Sequence, residues 1–191
     1  MGISLSKGQG ISLDKTSPGL TQVRVGLGWD ENVGGQNFDL DASAFLLQAN
    51  GKVKTDAYFV FYNQIKTPEE SVIHSGDDLT GGGGGDCEVL MVDLDKVPPD
   101  VERIVFTVSI YQGEERRQNF GQVANAYIRL LDDITGWEIA RYDLADQASQ
   151  DTAMLFGELV RANGAWDFRA LGEPQSGNLA ALCARYGVQV I

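Results

Sequence analysis

The chain has 191 residues, 43% of them hydrophobic, and its 15 basic residues against 27 acidic ones give a formal net charge of −12. That length and apolar content suffice for one sizeable core, so a single domain over residues 1–191 is expected. The charge argues against nucleic acid, whose binding needs Lys and Arg to neutralise phosphates, and against plain electrostatic attachment to anionic lipid; it suits divalent cations or basic partners.

At the N-terminus, "MGISLSKGQGISLDK" carries Gly2 and Ser6 in the spacing of an N-myristoylation signal. The same segment alternates like a strand and nothing else suggests a lipid anchor, so it is read as strand. No secretory signal is recognised, which points to the cytoplasm, and no apolar stretch reaches membrane-spanning length. "LTQVRVGLGW" places Val23, Val25 and Leu27 on one face and Gln22 and Arg24 on the other. "FDLDASAFLL" begins with acidic and apolar residues alternating and then turns apolar. "AYFVFYN", "EVLMVDL" and "RIVFTVSIY" are buried-type runs. "LDKVPPDVER" and "QNFGQVANA" read as connections with a short turn each. "NAYIRLLDDITGWEIARYDL" and "AMLFGELVRANGAWDFRAL" read as hairpins turning at "DDITG" and "NG". "SGNLAALCARYG" sets Leu179, Leu182 and Tyr186 at helical spacing, with Gly187 as the stop. The fold class that follows is mainly β: a β-sandwich of two antiparallel sheets with a few short peripheral helices.

Several single residues have structural readings. Cys87 and Cys183 are far apart and in no metal or redox motif, so reduced thiols are expected. His74, the one histidine, reads as a loop residue. Trp29, Trp137 and Trp166 read as core or rim packing, and Glu158 in "MLFGELV" as a surface position of an alternating strand.

Acidic residues gather where strands meet loops. Asp39 and Asp41 are two apart at a strand start, so their side chains point the same way, on a face that leads into an apolar strand. Two such carboxylates repel unless a cation or a basic residue lies between them, and few basic residues are near in sequence. Calcium takes roughly six to eight oxygens, backbone carbonyls included, in flexible geometry. Five consecutive glycines, Gly81 to Gly85, stand between Asp77 and Asp78 on one side and Asp86 and Glu88 on the other. Glycine lets successive carbonyls turn inward through backbone angles closed to other residues. The spacing is not that of an EF-hand. No GK[ST] follows, and the acidic surroundings would repel phosphate. Acid-and-glycine loops also occur as plain solvated turns; the Asp39/Asp41 pair and Asn63, each at a strand end, favour the cation. "EERRQNFG" offers either a partner surface or an internal ion pair near these acids, the ion pair being preferred.

These segments resemble the TerD-type tellurium resistance and calcium-dependent stress proteins. The match runs nearly end to end, through "GISLSKGQGISLDK", "PGLTQVRVGLGWD", "FDLDASAFLL", "FVFYNQIKTPEESVIHSGDDLTGGGGGD", "VDLDKVP", "RIVFTVSIY", "RRQNFGQVANAYIRL", "EIARYDL" and "WDFRALG". The resemblance implies a β-sandwich with two neighbouring calcium sites at one end, a link to tellurite and stress resistance beside other Ter-family proteins, and no defined enzymatic activity. Carried over by position, it implies Asp39, Asp41, Asn63, Asp77, Asp78 and Asp86 as calcium ligands, with Glu88 and the carbonyls of Leu79, Gly81 and Gly83. One departure is Cys87 within "GDCE", where relatives carry a further acid. If that position ligates through its side chain, one site is weakened, because calcium prefers oxygen to thiolate; if it uses its backbone, nothing is lost.

Four functions follow for testing. The first is a non-enzymatic calcium-ordered interaction module with two ions bound. The second is a metal-dependent hydrolase, disfavoured because His74 has no evident catalytic partner. The third is direct tellurite reduction by Cys87. The fourth is calcium-dependent membrane docking, for which the loop tips lack apolar or basic residues apart from Leu79.

Overall fold

Alternation of apolar and polar residues builds most of the elements. The structure, a computed structural model, describes residues 2–30, 35, 37–75, 85–144 and 150–189. In chain order these hold β1 (Ile3–Ser4), β2 (Gly10–Ser12), α1 (Leu13–Thr16), β3 (Gln22–Gly28), β4 (Leu40–Leu47), β5 (Phe59–Val60), β6 (Val72–His74), β7 (Glu88–Asp93), β8 (Arg103–Ile110), α2 (Gly113–Arg116), β9 (Tyr127–Asp132), β10 (Glu138–Asp143), β11 (Ala153–Ala162), β12 (Ala165–Gln175) and α3 (Leu179–Tyr186). Single turns of tight helix lie at Asp56–Tyr58 and Phe120–Gln122.

Among the described residues the strands form two six-stranded sheets, ordered β1-β10-β9-β3-β7-β6 and β2-β12-β11-β8-β4-β5. All ladders are antiparallel except β1 on β10, which runs parallel with Ile3 opposite Ala140. The expected β-sandwich is therefore present, with one parallel edge. Its core is the inter-sheet cluster that includes Val23, Val25, Leu27, Leu40, Ala42, Leu90, Ile104, Phe106, Ile128 and Phe156. Apolar burial of this kind is the main stabilising term, about 25 cal/mol per Å².

A second cluster lies on the outer face of the β4 sheet. Phe45, Leu47, Phe59, Val105 and Leu155 pack there against Leu182, Cys183 and Tyr186 of α3. The helix is begun by Asn178, whose Oδ1 accepts from the Ala180 N–H at 3.0 Å, and is ended by Gly187 at φ +82°. Covering both faces of β4 explains why all eight of its residues are buried. The face that begins at Asp41 continues through Ser43, Phe45 and Leu47, so it leads to the cluster beneath α3 rather than to the inter-sheet core.

Both hairpins form where the sequence places them. The β11–β12 turn is Asn163–Gly164 with φ of +52° and +83°, the left-handed pair that a two-residue hairpin needs. The strand expected through "ISLDK" stops at Ser12 instead. Leu13 turns inward and is 1% exposed, and the Thr16 hydroxyl donates to the Ser12 carbonyl at 2.7 Å, closing one helical turn. No local pattern announced α2, whose flanking Gln112 and Arg117 are both left-handed without being glycine. "LDKVPPDVER" is held open by Arg161, which donates to the carbonyls of Val97, Pro98 and Val101. Trp29 and Trp166 are buried, whereas Trp137 stands 59% exposed on the β9–β10 hairpin. Glu158 is not a free surface position. Central in its sheet, it is roofed by Arg103, whose Nε and Nη2 donate to Oε2 at 2.8 and 2.5 Å. Among the described residues no helix is long and apolar enough to cross a membrane.

Candidate metal centre

Three segments far apart in sequence meet at the mouth of the sandwich. β6 ends at His74 and β7 begins at Glu88, and the Ser75 N–H donates to the Val89 carbonyl at 2.9 Å, so the intervening stretch with the glycines joins two paired strands. Glu88 occupies the first inward position of β7 and is 1% exposed. Its Oε2 accepts from the Ala42 N–H, near the start of β4, and lies 3.7 Å from Nε2 of His74. Glu88 thus ties the "FDLDAS" segment to the foot of the glycine stretch. His74 is 3% exposed, a buried strand-end residue rather than a loop residue. The sequence signal was present, a polar residue closing the apolar "SVI", but one histidine has no period of its own.

Asp39 immediately precedes β4 and Asp41 lies on it, near α2. The Asp39 Oδ2 is 4.0 Å from Nη1 of Arg116, and its backbone carbonyl accepts from the Tyr111 N–H at 2.8 Å. Asp41, 6% exposed, lines a cleft of about 290 Å³ with Tyr62, Ser109, Gln112, Glu114 and Thr152. The basic residue absent from Asp39's sequence neighbourhood is therefore supplied from a distance by "EERRQNFG", as an ion pair at the edge of contact distance.

Asn63 and Asp86 go elsewhere. Asn63 tips the tight turn closed by Phe61 and Gln64 and borders a groove of about 490 Å³ with Phe59, Cys183 and Val188. Its neighbour Tyr62, not Asn63, is the residue that reaches the Asp41 cleft. Asp86 lies on the outer face of the β3 sheet. Its Oδ1 accepts from Arg129 Nε at 2.7 Å and from the Tyr127 hydroxyl at 3.1 Å, and its Oδ2 from Arg129 Nη2 at 3.1 Å. Burial and the Asp86 charge push Tyr127 up to about 12. The contact with Asp86 raises the Arg129 guanidinium further above its ordinary value. Asp77, Asp78, Leu79, Gly81 and Gly83 lie outside the described residues. Cys87 donates its N–H to Leu27 at 2.6 Å while its side chain packs against the inter-sheet core. Among the described residues, no three His, Cys, Asp or Glu side chains gather closely enough to hold a metal ion by themselves.

A sandwich of this topology, with acids at its mouth, defines a class, and the comparisons agree on which. The TerD domain model matches residues 1–186, and the chain belongs to the TerD family of tellurium resistance and stress proteins. It is 57% identical over 189 residues to the Tellurium resistance protein TerD of an Alcaligenes species, covering 98% of each chain. It is 50% identical to General stress protein 16U of Bacillus subtilis, over the full length of both. A crystal structure of a TerD homologue from Streptomyces coelicolor A3(2) shares the fold with a TM-score of 0.70 at 24% identity, over 87% of this chain and 96% of that one.

Proposed function

We propose that this protein is a calcium-binding stress-response module associated with tellurite resistance, acting in the cytoplasm without catalysis of its own and beside other Ter-family proteins. The observation that carries the reading is the convergence at Glu88. A buried carboxylate there touches β4 at Ala42, next in sequence to Asp41, and approaches His74 at the foot of the glycine stretch. In this reading Asp39, Asp41 and Glu88 act with Asp77, Asp78 and the carbonyls of Leu79, Gly81 and Gly83 as an oxygen cage for up to two calcium ions. Such ions would offset a third of the formal charge of −12 and order a surface for a partner.

Catalysis has little to draw on. The single histidine is buried against Glu88, whose own carboxylate is taken up by the Ala42 N–H, and the Asp41 cleft holds no histidine or cysteine among the described residues. Cys87 is packed against the core, which supports an incidental thiol over tellurite reduction.

A ligand that binds only the folded form at a hundredfold excess over its Kd stabilises it by about 2.7 kcal/mol. Thermal melts of metal-free protein should therefore shift upward with millimolar calcium and less with magnesium. Asp41→Asn should reduce the calcium shift. A melting curve indifferent to calcium contradicts the proposal.

A further inference from the structure

We propose that Asp86 is an anchor held by Arg129, and that Arg129 is thereby a positioning residue for Glu88, rather than Asp86 being itself a cation ligand. The socket around Asp86 is built from three strands. Arg129 of β9 grips both carboxylate oxygens in a fork, at 2.7 and 3.1 Å, and Tyr127 donates a third hydrogen bond at 3.1 Å. Arg129 is itself steadied by Glu138 of β10 at 3.2 Å. On β3, Gly26 leaves the space that the carboxylate fills; a Cβ there would collide with it. Forked arginine–carboxylate contacts are the stronger and more directional kind of ion pair, and the Asp86 side chain is only 9% exposed.

Glu88 is two residues further on and points the opposite way, into the sandwich. Strand pairing begins only at Glu88, opposite Leu27, so alternation does not bind Asp86 to the same side. Two residues span at most about 7 Å of chain. Pinning Asp86 outside the sheet therefore fixes where the backbone enters it, and with it the reach of Glu88 to the Ala42 N–H. In the proposed calcium reading, on which part of the test rests, the same pin sets the geometry of the cage without donating to it.

The test compares wild type, Asp86→Asn, Arg129→Gln and the milder Arg129→Lys by amide exchange of metal-free protein and by calcium titration. Exchange at Ala42 and Cys87 should rise about tenfold in Arg129→Gln relative to β8 amides, similarly in Asp86→Asn, and less in Arg129→Lys. Calcium affinity should fall about tenfold with unchanged stoichiometry, and the double variant should lose little more than either single one. If wild type takes up no calcium yet Ala42 exchange rises, the functional reading fails and the anchor stands. Unchanged Ala42 exchange, or loss of one calcium equivalent in Asp86→Asn while Arg129→Gln keeps both, overturns the anchor.

Discussion

The Tyr127 hydroxyl donates to Asp86, beneath the guanidinium of Arg141, which lies 3.7 Å from its ring. Its ionisation moves from an ordinary 10.0 to about 12 in the folded chain. A folded value above the unfolded one means that its stabilisation is complete below about pH 10 and is lost as pH rises toward 12. Stability measured by denaturant should therefore decline through that window, and Tyr127→Phe should flatten the decline; equal slopes would argue against the contact. Cys183 makes a companion case. Burial, with help from the Asp56 charge, pushes its thiol up to about 11. Only the thiolate is nucleophilic, so in native protein at neutral pH the buried Cys183 should alkylate more slowly than the half-buried Cys87 and react fully after denaturation. Rapid alkylation of both would show α3 to be less firmly seated than its packing implies.

Elements with a strong period were legible in the sequence. β3, β9 and β12 alternate clearly, β8 is a continuous β-branched run, and "NG" marks the β11–β12 turn because that kind of pair accepts two left-handed residues in succession. Gly164→Ala should cost about 1 kcal/mol by thermal melt, since a Cβ is unwelcome at φ +83°. Elements decided by distant partners were not legible. α2 rests between two left-handed residues that no propensity favours, and the turn at Leu13 exists because Leu13 finds a tertiary slot. On the outer face of the β3 sheet, Gly26 reads in sequence as a weak point in a strand, yet it is the floor of the Asp86 socket. Gly26→Ala should destabilise by roughly 1–3 kcal/mol through overpacking. A neutral result there would mean that Asp86 can leave its socket freely.

Over the whole molecule, the two sheets bring β4 and β7 together although their starts are about fifty residues apart in the chain, and this is what sets the Glu88 carboxylate against the Ala42 N–H. Paired spacing named Asp39 and Asp41 and the place beside the glycines named Glu88, and the fold brings the segments of Asp41 and Glu88 into contact at Ala42. Sequence could not separate Asp86 from Glu88, because both flank the glycines and only the path between them puts one outside the sheet and the other inside. The ion pair preferred for "EERRQNFG" is present as Arg116 beside Asp39, although only the packing of α2 singles out Arg116 for it. Asn63 was drawn in by its place at a strand end, while the tight turn carries it to the groove beside α3. Calcium titration of metal-free protein by calorimetry tests the central claim most directly. The account predicts saturable binding of up to two ions per chain, lost in part by Asp41→Asn; absence of binding heat at millimolar calcium would contradict it.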